Sequence, residues 1–271
     1  MRRSSLFLIL MTMLALLAPL VAPHDPYGVD VSQRLLPPCR EFLFGTDHLG
    51  RCVFSRVLFG ARVSLGIGCM IMVSSLTLGG IIGAVAGMGS TLADGIIMRI
   101  TDVFMAVPSL VFALVLSRSL GPGTMNVILI FSLTLWTRYA RMVRGLVLDL
   151  RHRDHVATAA LAGLPPGHIL LHHILPGLIP PMAAMATLGM GMNILMVSSL
   201  SFLGLGIVEP VPDWGAMLAT GTDYFRTAPH MALFPGLVIS LTVLAFNSLG
   251  DHLQAWRINP KSSGRPNGKN S

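Results

Sequence analysis

Six stretches of this chain contain no Asp, Glu, Lys or Arg: Ser4–His24, Val63–Ala93, Val103–Ser117, Ser119–Thr137, His155–Val208 and Thr227–Gly250. A helix needs about 20 apolar residues to cross the hydrocarbon layer of a bilayer. Lipid offers no partner to an unpaired backbone amide, so helices, which satisfy their own, are the economical way across. The fifth stretch is long enough to hold a polar loop as well as a span. The chain therefore reads as an all-α polytopic membrane protein with about six transmembrane helices, near 4–22, 64–88, 98–118, 120–140, 182–205 and 231–250. Its charge content agrees: 11% of residues are charged, against roughly 25% in soluble domains, and the mean hydropathy is +0.71.

The first span has a competing reading as a secretory signal, since Arg2 and Arg3 precede an apolar run and Leu20-Val21-Ala22 resembles a cleavage site. The run from Leu6 to Ala22 is longer than the roughly 7–15 residues of a signal core, and Pro23 is a poor residue to follow a cleavage point. An uncleaved anchor is expected. Lys and Arg placement sets the orientation. With the N-terminus inside, Arg2, Arg3, Arg99, Arg138, Arg141, Arg144, Arg151, Arg153, Arg257, Lys261, Arg265 and Lys269 fall on inner segments. The outer segments hold Arg34, Arg40, Arg51, Arg56, Arg62, Arg118 and Arg226, five of them in the first outer loop beside Asp25, Asp30, Glu41 and Asp47. Both termini are thus expected on the cytoplasmic side. The net charge of +7 reflects inner-leaflet anchoring, not nucleic-acid binding, because no soluble basic domain carries it.

Three cysteines, Cys39, Cys52 and Cys69, are too few and too irregular for a disulfide framework or a zinc site. Cys39 and Cys52 share an outer loop where oxidation is chemically possible, and Cys69 reads as a small packing residue. The nine histidines avoid the centres of the spans. A membrane-embedded metalloenzyme would need His or carboxylates at helical spacing, and no such metal site is expected.

The polar loop begins after the fourth span. Trp136–His155 mixes an apolar face with five arginines and reads as an amphipathic inner helix. Val156–Ala162 continues with residues of good helix propensity. Gly163 then offers a sharp turn, and Leu164-Pro165-Pro166 breaks the helix because each proline biases its predecessor away from α. A second short helix from about Gly167 to Ile174, ending near Pro176, completes a helix-turn-helix on the inner face, with Leu161, Ile169, Leu170 and Leu171 available for docking.

ATP hydrolysis would require a Gly-x4-Gly-Lys-Ser/Thr loop; the sole Gly-Lys pair, Gly268-Lys269, is followed by Asn270 in a polar tail. A secondary carrier would show paired ionisable residues near mid-membrane. Asp102 is the one acidic candidate, and its nearness to Arg99 favours a structural ion pair.

Residues 155–176, HVATAALAGLPPGHILLHHILP, resemble the EAA loop of ABC-importer permeases. Aligned on Gly163 and on His173-Ile174-Leu175-Pro176, the EAA positions become Ala157, Thr158 and Ala159. The resemblance extends along Phe44–Leu65, Met98–Val103, Pro108-Ser109, Tyr139–Arg144, Ser201–Gly206, Asp213-Trp214-Gly215 and Asn247–Asp251, with Cys52 where an Asp is usual, and covers about residues 4–257. It points to the peptide and nickel branch of the binding-protein-dependent importers. It implies the type I permease fold and a loop that docks an ATPase through Ala157, Thr158, Ala159, Leu161, Gly163, His173 and Pro176. Ala157 replaces the usual Glu, so docking would rest on shape and apolar contact.

The resemblance also implies partners: a homologous second permease, two ABC ATPase subunits or domains that hold ATP and Mg, and a periplasmic or surface-anchored binding protein, all around a multi-pass chain in the bacterial inner membrane. No cofactor of the chain's own is expected, nor enzymatic activity. The expected division is an anchor and outer loop over 1–62, a permease core over 63–257 and a polar tail over 258–271. Thr187, Met190, Asn193, Met196, Ser198 and Ser199 on the fifth span are pathway candidates, with Gly189 and Gly191 permitting close helix packing. Asp213, Trp214 and Tyr224 in the last outer loop stand either as residues that meet a binding protein or help gate, or as packing residues. The short N-terminus and the segments GTDHLGRCVFSR, FMAVPS and AFNSLGDHL look more like the nickel permeases; di- and oligopeptides remain the alternative cargo.

Overall fold

The structure is a computed structural model that describes residues 2–258. The expected polar tail, with Lys261, Arg265, Lys269 and the Gly268-Lys269 pair, lies beyond the described residues. Among those described, the regular structure is helical apart from one antiparallel bridge between Thr46 and Cys52. The order is α1 (Arg2–Leu16), α2 (Ala18–Val21), a 3-10 turn (Val31–Gln33), α3 (Val53–Met88), α4 (Thr91–Ala106), α5 (Ser109–Leu120) and α6 (Thr124–Arg151). Then follow α7 (Asp154–Leu161), α8 (Pro166–Ile169), a π turn (Leu170–Ile174), α9 (Leu175–Phe202), α10 (Trp214–Asp223) and α11 (His230–Ile258).

Three segments are long and apolar enough to cross a membrane, Val53–Met88, Pro166–Phe202 and His230–Gln254, and α4 with α5 makes a fourth if a bent pair counts as one span. The other two expected spans take different forms. The first is α1 with α2, whose Ala15 and Ala18 are buried and whose Ser4 hydroxyl donates to Ser248 on α11 at 3.0 Å. The fourth is α6, long enough at 28 residues but carrying Arg138, Arg141, Arg144 and Arg151 in its C-terminal half.

Several expected boundaries are corrected. The continuous helix expected over 98–118 is broken: α4 and α5 meet at 84°. Pro108 is the cause, because it lacks an amide and drives Val107 to an extended ψ of 127°. The separate amphipathic helix expected over 136–155 is instead the C-terminal half of α6 as far as Arg151, with Asp154 and His155 opening α7. No proline interrupts residues 124–151, and the apolar face runs unbroken from Phe131 through Tyr139, Val143 and Val147. The second short helix expected to end near Pro176 instead runs into α9. There the Leu175 amide reaches back five residues to the Leu170 carbonyl, and this wider π turn carries the chain past Pro176.

At 36 residues α3 is about 54 Å long, well beyond a hydrocarbon core of about 30 Å. Its first turns, outside the expected 64–88, are anchored by a buried ionic cluster. Arg51, 3% exposed, donates from Nε to Asp47 at 2.6 Å and from Nη2 to Glu209 at 2.9 Å. Arg56, 2% exposed, stands 3.7 Å from Asp47 and 3.5 Å from Glu209, and donates to the Pro26 carbonyl at 3.1 Å. Burial opposes the charge on Arg51, but its hydrogen bonds and proximity to Glu209 and Asp47 outweigh that and raise its pKa.

Among the described residues the most extensive helix interface joins α3 to α6. Gly79, Gly83 and Gly87 face the Trp136 carbonyl, the Ala140 carbonyl and the Val147 side chain, so the two backbones approach where no Cβ intervenes. The cysteines answer one open question and correct one expectation. Cys39 and Cys52 are free, with no bridge between them, and Cys69 is exposed instead of packed within the chain.

Candidate coupling hairpin and translocation face

The hairpin is built from a buried base and an exposed tip. Val156 and Ala159 on α7, Ile169 on α8 and Ile174 in the π turn pack with Val143, Val147 and Leu150 of α6 and Leu178 of α9. Residues three apart lie on one face of a helix, so burying Val156 and Ala159 turns Ala157 and Thr158 outward, and both are exposed. The Thr158 hydroxyl donates to the Asp154 carbonyl at 2.7 Å. Leu161 is 89% exposed, an unusual position for a leucine that follows a well-packed turn. Leu171 is exposed too, whereas Ile169 is buried and Leu170 half-buried; the latter two pack within the chain and do not present a docking surface.

The tip closes as a Schellman motif. Gly163 donates to the Ala160 carbonyl at 3.0 Å and Leu164 to the Ala159 carbonyl at 3.3 Å. Gly163 has φ +80°, with nothing within 4 Å of where a Cβ would stand, so glycine is favoured there by backbone conformation and not by space. His173 is half-buried and Pro176 exposed beneath the tip.

Two ion pairs tie the hairpin's supporting helix to α4. Arg144 donates from Nη2 to Asp94 at 2.6 Å, and Arg141 pairs with Asp102. The expected Asp102–Arg99 pair is thereby corrected: residues 99 and 102 share α4, but the cation that reaches the carboxylate comes from α6. Arg151 donates to the Gly87 carbonyl at 2.8 Å, satisfying one of the last carbonyls of α3.

The pathway candidates on α9 are not brought to one surface. Met190, Asn193 and Ser198 are buried, while Met196 and Ser199 are half-buried. Asn193 donates to the Gly68 carbonyl at 3.3 Å, Ser199 to the Leu195 carbonyl at 2.7 Å, and Met196 packs against the apolar cluster around Phe131. Thr187 donates to the Ala183 carbonyl at 2.9 Å. Of the pathway candidates, Asn193 alone lines the partly open cavity of ≈ 210 Å³ whose other walls include Arg138, Tyr139, Met185, Met192 and Gln254. Those five carry no sequence signal for a lining role, because α6, α9 and α11 bring them together only by packing. Gly189 and Gly191 do sit at close approaches, to the Tyr139 hydroxyl and to Asn247 and the Val243 carbonyl.

On the opposite end, Asp213 and Trp214 are packing residues. Both are fully buried; Asp213 caps α10 by accepting from the Ala216 amide at 3.1 Å, and Trp214 Nε1 donates to the Val57 carbonyl at 3.0 Å. Burial pushes the Asp213 carboxyl up, against the hydrogen bonds it accepts. Tyr224 is half-buried and stacks on His48 with ring centres 5.5 Å apart.

Residues 79–259 match the family described as binding-protein-dependent transport system inner membrane component, and residues 4–38 match the N-terminal TM domain of oligopeptide transport permease C. Similar proteins include the probable D,D-dipeptide transport system permease protein of Escherichia coli (strain K12), 37% identical over 262 residues, 97% of this chain and 88% of that one. The nickel transport system permease protein of the same strain is 38% identical over 255 residues, 93% of this chain and 91% of that one. The di/tripeptide transport system permease protein of Pseudomonas aeruginosa (strain UCBPP-PA14) is 39% identical over 255 residues, 92% of this chain and 84% of that one.

Proposed function

Because this chain belongs to the binding-protein-dependent transport system inner membrane component family, we propose that it forms half the pathway of an ATP-driven importer of nickel, as ion or chelate. The coarser part is plain: it is a multi-pass inner-membrane permease subunit of the ABC-importer type. The finer part is that residues 155–176 dock on an ATPase whose closing and reopening switches the pathway between outward and inward openings. The observation that carries this is the hairpin: Leu161 is held out at 89% exposure on a turn whose base is packed into α6 and α9. An apolar side chain held out on a rigid turn, with its supporting base packed, is preorganised to enter a groove on a partner.

The partners that follow are a homologous second permease, two ATPase subunits or domains holding ATP and Mg, and a substrate-binding protein on the outer side. Both termini then lie in the cytoplasm. Co-purification with an ATPase, and ATP hydrolysis stimulated by cargo-loaded binding protein, test this reading. Transport by the isolated chain under an ion gradient would replace it with a secondary carrier.

Nickel rests on the short N-terminus and on the likeness of the GTDHLGRCVFSR, FMAVPS and AFNSLGDHL segments. The identity of 37% to a dipeptide permease beside 38% to a nickel permease supports di- or oligopeptide as the second reading. Uptake of labelled nickel and of labelled dipeptide in a deletion strain separates them; loss of dipeptide uptake alone would sink nickel.

A further inference from the structure

Five of the chain's nine histidines, His152, His155, His168, His172 and His173, fall in or just before the hairpin, and two of them form a pair. His168 and His172 are four residues apart, both exposed, with ring centres 4.1 Å apart and planes inclined by 20°. His172 Nδ1 lies 3.2 Å from the His168 carbonyl. A carbonyl only accepts, so Nδ1 carries the proton and the neutral ring has a bare Nε2. This is the arrangement that orients a metal-ligating imidazole: one nitrogen fixed to a backbone carbonyl, the other free. No hydrogen bond to another side chain occupies either ring among the described residues.

We propose that His168 and His172 form a binding site for a divalent transition-metal ion such as Ni(II), and that its occupancy slows ATP turnover by the docked motor. Residues four apart lie on one face of a helix, so turning the two rings out of their stack can bring one nitrogen of each to a shared ion at about 2.0–2.1 Å. Imidazole suits Ni(II), Cu(II) and Zn(II), and does not suit Mg(II) or Ca(II). Among the described residues no group of three or more His, Cys, Asp or Glu could hold a metal, so this site has two donors from the chain and open positions for water. Two donors give a weak site, filled when metal accumulates and empty when it does not.

The effect on turnover rests on the docking reading above; the binding of metal does not. An ion at His168 and His172 would sit beside exposed Leu171 on the same hairpin that presents Leu161, adding charge to a surface that docks by apolar contact.

The test uses the whole transporter, purified without a polyhistidine tag, with nickel chloride as the probe in calorimetric titration and with Cu(II) for electron paramagnetic resonance. The variants are His168→Ala, His172→Ala and the double variant, with His152→Ala as control. The expected result is one Ni(II) per chain, binding weakened at least about tenfold by either single change and unaffected by the control, and two imidazole nitrogens in the Cu(II) spectrum. Equal Ni(II) binding by the double variant overturns the site. ATP hydrolysis by the intact complex should fall with Ni(II) and become insensitive in the double variant. Binding without that effect overturns the regulatory half. An unchanged ATPase in a Leu161 variant instead refutes docking, whatever the metal does.

Discussion

The Leu164 amide donates to the Ala159 carbonyl at 3.3 Å, and this one bond decides where the hairpin turns. It requires the intervening Gly163 at φ +80°, a region that costs an L-residue roughly 1–2 kcal/mol. Gly163→Val should therefore open or displace the tip while leaving the buried base in place. Gly163→Asn, which tolerates that conformation, should retain it. In reconstituted complexes the expected outcome is a several-fold fall in substrate-stimulated ATP hydrolysis for Val and little change for Asn, at equal amounts of protein in the membrane. Equal rates for the two would show that the turn is not what the motor requires.

Leu161 offers a cleaner separation of docking from folding. At 89% exposure it buries almost nothing in the chain, so Leu161→Glu should shift stability by no more than about 0.5 kcal/mol. If it is the docking knob, the same change places a desolvated carboxylate in an apolar groove and should cut recovery of the ATPase with the permease by at least about tenfold. The neighbouring Thr158→Ala, which removes only a hydroxyl bonded to its own helix, serves as the comparison. Co-purification that survives Leu161→Glu would dismiss the role.

The sequence made the hairpin legible for a local reason: glycine at a left-handed position and two prolines leave few alternatives for the backbone. It was less informative where a helix continues, because continuation leaves no mark. Nothing in residues 136–155 announces that Arg151 belongs to one helix with Thr124 and Arg138, and the π turn that carries the chain past Pro176 has no composition of its own. Pro108 did carry a signal. It breaks the span at 98–118, yet it sits inside a charge-free stretch whose length spoke louder. The partner of Asp102 could not be read at all, since Arg141 is brought to it by packing of α4 on α6, while Arg99 was merely close in sequence. Burial likewise sorted Asp213 and Trp214 from Leu161: polarity in an outer loop says nothing about whether a helix will land on it.

The cluster of Asp47, Arg51, Arg56 and Glu209 gives a third prediction. Arg56 is enclosed, and its guanidinium is shared between two carboxylates and the Pro26 carbonyl. Removing one partner of a buried ion pair leaves the others uncompensated, at a cost of about 3–5 kcal/mol. Arg56→Ala should lower the thermal inactivation temperature of the detergent-solubilised protein sharply. Glu209→Gln should cost less, because Glu209 is 39% exposed and water can replace part of what Arg51 loses. The reverse ranking would mean that the outer loop is held by something other than these charges.

Gly83 provides the sharpest contrast in sign. A Cβ there would run into the Ala140 carbonyl and lie 3.0 Å from Ala140 Cα, both backbone atoms that cannot rotate away. One on Gly80, three residues back in α3, would meet only the flexible end of Met182 at 3.5 Å. Replacing a helical glycine with alanine is intrinsically favourable by about 0.8–1 kcal/mol, so Gly80→Ala should stabilise by up to that amount. At Gly83 the same gain is opposed by the cost of forcing α3 and α6 apart, about 1–3 kcal/mol for overpacking of this kind, and the α3–α6 interface is the most extensive helix pairing among the described residues. Thermal inactivation of the two variants in detergent should move in opposite directions. If Gly83→Ala is as stable as Gly80→Ala, the helices do not pack on their glycines, and the close crossing that positions the hairpin's supporting helix is wrong.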